Sequence, residues 1–238
     1  LLANDPDPFN RWEAGQRLAL RAAIHAIGTP AVSASETPLN EAYLDAMRRV
    51  LRDPKLDAAF KELVLTLPSE TYIAEQLDVV DPQRVHAVRE AMRAQLAAGL
   101  FADWEQAYEQ NRDTGAYQPD PVSSGRRALA GLALTYLCLA ARASGDTLWP
   151  GKTLQRFKDA GNMTDRFNAL QALVSSGHAL AAQALARFHA IFKDEALVID
   201  KWFSLQAGAP DRGGDILPLV KQLMKHPDFS LKNPNRAR

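Results

Sequence analysis

The 238-residue chain carries 28 basic and 28 acidic residues, a formal net charge of +0 and a pI of about 7.2. That balance argues against the basic footprint of a nucleic-acid binder and against an acidic interaction tail. Hydrophobic residues make up 47%, enough for a packed core, and the single cysteine, Cys138, excludes an internal disulfide. A lone thiol fits a reducing, cytoplasmic compartment, although an exported protein without disulfides would have the same composition. The strongest apolar run, 128–141, is interrupted by Thr135 and Tyr136. It falls short of the about 20 residues a membrane span needs, so a buried helix is expected there and no membrane association.

Apolar spacing is helical nearly throughout. Phe9, Trp12, Leu20, Ala23, Ile24 and Ile27 fall near one face of a first helix that Gly28-Thr29-Pro30 ends. Residues 31–38 read as a loop and 39–50 as a second helix. Asp53-Pro54 marks a break before a third helix holding Leu56, Phe60, Leu63 and Val64. Ser69 fits an N-cap after Leu67-Pro68. Asp81-Pro82 is a stronger start, because the carboxylate can accept from first-turn amides and proline suits the first helical position. The helix it opens carries Val85, Val88, Met92, Leu96 and Leu100 on one stripe and ends near Gly99.

From about Ser124 the pattern becomes successive helical hairpins. Residues 126–142 pair with 152–159 across Gly145 and a Trp149-Pro150-Gly151 turn. Residues 162–175 pair with 180–192 across Ser176-Gly177, and 195–206 with 216–225 across Gly208-Ala209-Pro210 and Gly213-Gly214. The pairs begin at roughly 33–36-residue intervals, the range of helical solenoids. Asn162 reads as a cap, with Asp165 bonding back in a weak form of the capping box. Strand-like alternation is scarce and hairpin dipeptides are missing. The expected fold is therefore all-α. It is a superhelical stack of helix pairs of armadillo or HEAT type, truncated at its C-terminal end, with an irregular helical part over 1–120 and stacked hairpins over 121–238.

Candidate chemistry is sparse. None of the five histidines (His25, His86, His178, His189, His226) belongs to a His-Glu-x-x-His pattern, which binds zinc through two histidines one helical turn apart. His178 and His189 lie about three helical turns apart, but Gly177 breaks the helix beside the first. Ser175 and Ser176 ahead of His178 suggest a helix-ending turn and have none of the surroundings of a nucleophile elbow. Trp12, Trp202 and Phe203 could line an apolar pocket, but at helical spacing they are expected to be packing anchors. Asp200-Lys201 reads as a surface ion pair, and the charges of Arg11 and Glu13 as solvated or bridging a boundary.

Five stretches in order carry a resemblance. They are Asp7-Pro8-Phe9-Asn10-Arg11-Trp12-Glu13-Ala14-Gly15-Gln16, Leu65-Thr66-Leu67-Pro68-Ser69, Asp81-Pro82 with Val88-Arg89-Glu90-Ala91, Asn162-Met163-Thr164-Asp165 and Asp200-Lys201-Trp202-Phe203. The chain closes on Asn233-Pro234-Asn235-Arg236-Ala237-Arg238. Together they resemble the C-terminal helical domain of the bacterial aminopeptidase N family of zinc-dependent peptidases. The resemblance implies a parent enzyme that removes N-terminal residues from peptides, with its zinc and catalytic groups in a separate catalytic domain. This domain would enclose the active-site chamber and gate access to it. Its partners would be peptide substrates and its own catalytic domain.

Neither His-Glu-x-x-His nor the family's Gly-Ala-Met-Glu-Asn motif occurs in the sequence. The chain by itself is thus expected to hold no catalytic residue, to bind no zinc and to be inactive. The segment Leu1–Pro6 reads as an interdomain junction, and the closing residues as a point where family members continue. By resemblance Arg238, and with it Arg236, would lie toward the substrate chamber, where a guanidinium fork suits carbonyl or carboxylate recognition. Capping or surface pairing stands equally for Arg238 and is favoured for Arg236. The other functional class left open is a stand-alone helical-repeat scaffold binding proteins or peptides in a concave groove.

Overall fold

The structure, a computed structural model, describes residues 2, 4–29, 37–112 and 115–237, with the side chain of Asn235 left aside. The described residues form helices with no strand, so the expected all-α class is what the chain adopts. They fall into two compact units, 1–140 and 141–238, with the boundary inside one long helix.

The first unit contains α1 (Pro8–Gly28), α2 (Glu41–Arg52), α3 (Ala58–Leu65), α4 (Glu70–Ala74), α5 (Pro82–Gly99), α6 (Phe101–Asn111) and most of α7 (Pro121–Ser144). Short polar side chains start nearly all of them. Asp7 accepts from the Phe9 amide at 2.8 Å, Asn40 from Tyr43 at 2.9 Å, Asp57 from Phe60 at 2.8 Å and Ser69 from Tyr72 at 3.1 Å. Asp81 takes both Gln83 and Arg84, at 3.0 and 3.2 Å. Each such cap is worth about 1 kcal/mol. The Asp-Pro signal read at Asp81 recurs at Asp7-Pro8 and at Asp120-Pro121, where Asp120 accepts from the Ser123 amide at 3.0 Å. α7 therefore begins five residues earlier than the apolar pattern suggested. The expected stripe of α5 (Val85, Val88, Met92, Leu96) is buried, as is Leu100 just after it.

α6 lies in a stretch to which sequence reading assigned no element. Only Leu100, with φ −118° and ψ 22°, separates it from α5. Trp104 fixes that corner: it is fully buried, its indole Nε1 donates to the Leu96 carbonyl at 2.9 Å, and its ring stacks on Tyr136 at 4.5 Å. Burial pushes the Tyr136 phenol up to about 12. A phenol whose folded pKa is raised contributes stability that is complete below its ordinary value of 10.0 and is lost as pH rises toward 12. An alkaline titration followed by tyrosinate absorbance should therefore show one component near pH 12 that is missing in Tyr136→Phe. Ionisation of every tyrosine around pH 10 would contradict it.

Gly125 marks the tightest approach in this unit. A Cβ there would meet the Ala59 backbone N at 2.8 Å and the Ala59 Cβ at 2.9 Å. Gly125→Ala would gain about 1 kcal/mol of helix propensity. The neighbouring atoms are backbone and cannot swing aside, and overpacking of this kind costs typically about 1–3 kcal/mol. A net loss of up to about 2 kcal/mol in chemical denaturation is expected; a gain would show that α3 and α7 separate freely.

The second unit adds α8 (Leu148–Asp159), α9 (Met163–Ser176), α10 (Leu180–Phe192), α11 (Ala196–Ala207), α12 (Ile216–Leu223) and α13 (Pro234–Ala237). Its core is Phe157, Leu170, Leu173, Phe188, Ile199, Phe203 and Leu223. The Trp149-Pro150-Gly151 turn is not a turn: all three residues lie in the first turn of α8. Proline is tolerated there because first-turn amides have no helical partner; Thr147 is the N-cap without a side-chain bond, and Asp146 just ahead of it accepts from the Leu148 amide at 2.9 Å. Asn162 caps α9 as expected, accepting from the Asp165 amide at 2.9 Å. Asp165 does not return to the cap's backbone. Its Oδ2 accepts from the Asn162 side-chain amide and from Arg156, both at 2.8 Å. Gly177, at φ +66°, ends α9 in a Schellman turn, with its own amide bonding Val174 O at 2.9 Å and the His178 amide Leu173 O at 3.2 Å.

Candidate functional site

In the first unit an open groove of about 570 Å³ is lined by Trp12 and Gln16 of α1, Glu62 and Leu63 of α3, the 66–69 connection and Tyr72. The connection is held from two sides. Gln16 Nε2 donates to Thr66 O at 2.9 Å, and Arg89 Nε from α5 donates to Pro68 O at 2.7 Å. His86 Nδ1 lies 2.8 Å from Glu70 Oε1 one turn further on. Residues from three of the resembling stretches thus meet here. Trp12, Leu63, Leu67, Pro68 and Tyr72 give the groove an apolar wall that can receive apolar side chains. In its lining the Thr66 hydroxyl donates to Glu62 O at 2.9 Å and approaches Glu62 Oε1 at 3.3 Å, a contact that closes the end of α3.

Arg11 is not solvated. It is buried, its Nε donates to Leu2 O at 3.0 Å and its Nη1 approaches Asp53 at 3.5 Å. Glu13 pairs with Arg17 at 2.7 Å on the surface. A buried carboxylate, Asp103 in the first turn of α6, faces Arg52 at 2.6 Å and Arg48 at 3.4 Å.

In the second unit the expected surface pair Asp200-Lys201 is replaced by a different one. Asp200 is 8% exposed and accepts from Arg236 Nε at 2.6 Å, while Lys201 is exposed with its ammonium 6.0 Å from the Phe167 ring. Alternate helix positions project differently, so adjacent residues do not face each other. Arg236 also donates through Nη1 to the Asp228 carbonyl and lies 6.0 Å from the Phe203 ring. The guanidinium thus ties the segment around α13 to α11. Arg238 lies outside the described residues.

Trp202 and Phe203 are buried as packing anchors, and the Trp202 indole donates to Leu185 O at 3.0 Å. Ser176 Oγ bonds Leu173 O at 3.0 Å and His178 Nδ1 accepts from the Leu180 amide at 3.2 Å, so these groups finish and start helices. Cys138 is buried and in no disulfide.

One grouping was not legible from spacing. His189 of α10 meets His226 and Asp228, which follow α12, with ligand atoms of all three within 4.8 Å of one another. The His189 hydrogen bond, ahead of neighbouring positive charge, holds the Asp228 carboxyl below its usual value. No helix among the described residues is long and apolar enough to cross a membrane.

The comparisons with known proteins agree on one relationship. Residues 1–238 match the family model described as a domain of unknown function (DUF3458_C) with ARM repeats. Aminopeptidase N of Caulobacter vibrioides is 37% identical over 238 residues, which is 100% of this chain and 26% of that protein. Aminopeptidase N of Escherichia coli is 32% identical over 243 residues, with the same two shares. The chain thus spans about a quarter of the length of these curated relatives. Among solved structures, Legionella pneumophila aminopeptidase A in complex with aspartic acid shares 26% identity at a TM-score of 0.79, covering 99% of this chain and 27% of that one. With helices throughout its described residues and a family match from end to end, the chain belongs to the DUF3458_C family of ARM-repeat domains.

Proposed function

We propose that this chain is the C-terminal helical domain of a zinc metallo-aminopeptidase, and that it encloses the active-site chamber and gates the entry of peptides. The observation that carries the reading is the match of all of this chain, and of only 26% of the relative, to aminopeptidase N. The sequence itself supports the division of labour, since it contains no His-Glu-x-x-His. The resembling stretches work on shape: Asp7, Ser69, Asp81 and Asn162 cap helices, Gln16 and Arg89 hold the 66–69 connection, and Asp200 holds Arg236.

Hydrolysis, with the zinc that assists it, belongs to the catalytic domain of the longer protein. Its partners are peptide substrates and that catalytic domain, with no nucleic acid or membrane involved, and the compartment is the cytoplasm. Enclosure would exclude folded chains and bulk water, which strengthens the electrostatics of the site it surrounds. The alone-standing scaffold is the rival, and an assay separates the two. The longer protein should release N-terminal residues from peptides while residues 1–238 alone release none; a longer protein without peptidase activity would favour the scaffold.

Within this reading Arg238 faces the chamber and contacts bound peptide, and Arg236 sits at the chamber wall with its guanidinium held by Asp200. Arg238→Ala in the longer protein should lower kcat/KM about ten- to a hundredfold for peptides long enough to reach it, the equivalent of about 1.5–3 kcal/mol for a lost charge-assisted hydrogen bond. Short chromogenic amides should be affected less, and zinc content should not change. Equal loss on both substrates would assign Arg238 to folding or docking.

A further inference from the structure

His189, His226 and Asp228 take no part in the groove or the peptidase reading, and although His226 Nδ1 accepts from the Asp228 amide at 3.2 Å, they bring together a donor set with specific chemistry. His189 Nε2 lies 2.6 Å from Asp228 Oδ2, and His226 Nδ1 lies 3.8 Å from the same oxygen. All three residues are half-buried. Aromatic rings back the two imidazoles: Trp202 is 5.0 Å from the His189 ring and 5.4 Å from His226, and Phe203 is 5.5 Å from His226.

We propose that these three side chains form a binding site for one divalent transition-metal cation of the zinc class, separate from any catalytic metal of a longer protein. Two imidazole nitrogens and one carboxylate oxygen are borderline ligands. They suit zinc, cobalt or nickel, whereas calcium and magnesium ask for all-oxygen shells. A tetrahedral ion with bonds of about 2.0–2.1 Å sets its donors about 3.3–3.4 Å apart. The Asp228–His226 separation of 3.8 Å is close to that, and the widest pair, within 4.8 Å, closes by side-chain rotation. The ion would take the place of the His189–Asp228 hydrogen bond and of the bond from the Asp228 amide to His226 Nδ1, and leave its fourth position to water.

Charge favours a cation. Asp228 feels the positive charge of Arg236, but that guanidinium is paired with Asp200 at 2.6 Å, and the Asp228 carboxylate supplies the negative charge a cation needs. The Arg236 bond to the Asp228 carbonyl anchors the ligand loop from outside, the kind of outer contact that orients a metal ligand. His226 and Asp228 are two residues apart on one short segment, and His189 closes the site from α10, so an ion would tie the two together.

The test is titration of the 238-residue chain with Zn(II) against a chromophoric chelator, repeated with Co(II) followed by its visible absorption. One equivalent should bind, with the intense d–d band of a tetrahedral ion, and should raise Tm. His189→Ala, His226→Ala and Asp228→Asn should each weaken binding by at least about tenfold. His178→Ala and His25→Ala should leave it unchanged. Far-UV circular dichroism checks that each variant is folded; if His189→Ala is not, His226→Ala and Asp228→Asn decide. Absence of saturable binding would overturn the site and leave a His189–Asp228 hydrogen bond beside tilted aromatic rings. One-equivalent binding that survives both histidine substitutions would overturn it equally. Because the assay reads metal on this chain alone, neither result bears on peptidase activity.

Discussion

Trp104→Ala is expected to cost about 3–5 kcal/mol, the range for removing a large buried aromatic side chain. Trp104 has no solvent exposure and stacks on Tyr136 at 4.5 Å. The one-residue joint between α5 and α6 gives the surrounding chain little freedom to collapse into the void. For a chain of this size that loss lowers Tm by about 2–4 °C for each kcal/mol. Trp104→Phe separates the contributions, since it keeps most of the packing and gives up the indole donor to Leu96 O. That carbonyl still accepts the Leu100 amide at 3.2 Å, so the phenylalanine variant should lose only about 1–2 kcal/mol. Denaturant melts of the two variants check this. Equal losses would assign the corner to the hydrogen bond; no loss in either would show that Trp104 is not the keystone of that corner.

Asp200→Ala is the second large effect. The Asp200 and Arg236 side chains are 11% and 14% exposed and meet at 2.6 Å. Removing one member of a buried pair costs about 3–5 kcal/mol because the other charge is left without its counterion. Residual contact with water places this pair at the low end, about 3 kcal/mol. The double variant Asp200→Leu with Arg236→Met removes both charges and should recover most of the loss. A double-mutant cycle measures the coupling. Additive single losses would mean that Asp200 and Arg236 stabilise the unit independently, and the α13 segment would then be held by other contacts.

Most of the helical framework was legible because its signals are local. The stripe Val85, Val88, Met92, Leu96, the caps at Asp81 and Asn162 and the glycine at the end of α9 each act within a turn or two of helix. The misreadings have physical causes of the same kind. Pro150 was read as a turn although a first-turn proline gives up no hydrogen bond, and α6 was missed because neither proline nor a capping side chain announces it. The Asp7-Pro8 and Asp120-Pro121 starts carried the same signal as Asp81-Pro82.

What connects distant parts of the chain was not legible. Asp200 finds Arg236, Arg11 finds the Leu2 carbonyl, and Arg89 finds Pro68 O through packing that no periodicity encodes. Nor does any spacing place His189 beside His226, since two helices intervene. The resembling stretches pointed to the right family because they hold the caps and tethers on which this arrangement depends.

The central claim is that these 238 residues serve a peptidase by controlling what reaches it. The most direct measurement compares the longer protein, intact and without this segment, on one N-terminal residue presented two ways: on a short peptide and on a stably folded protein. The account predicts that the intact protein cleaves the peptide and spares the folded chain, and that the shortened protein, where it remains folded with its zinc, loses that discrimination. Unchanged discrimination in the shortened protein would contradict it.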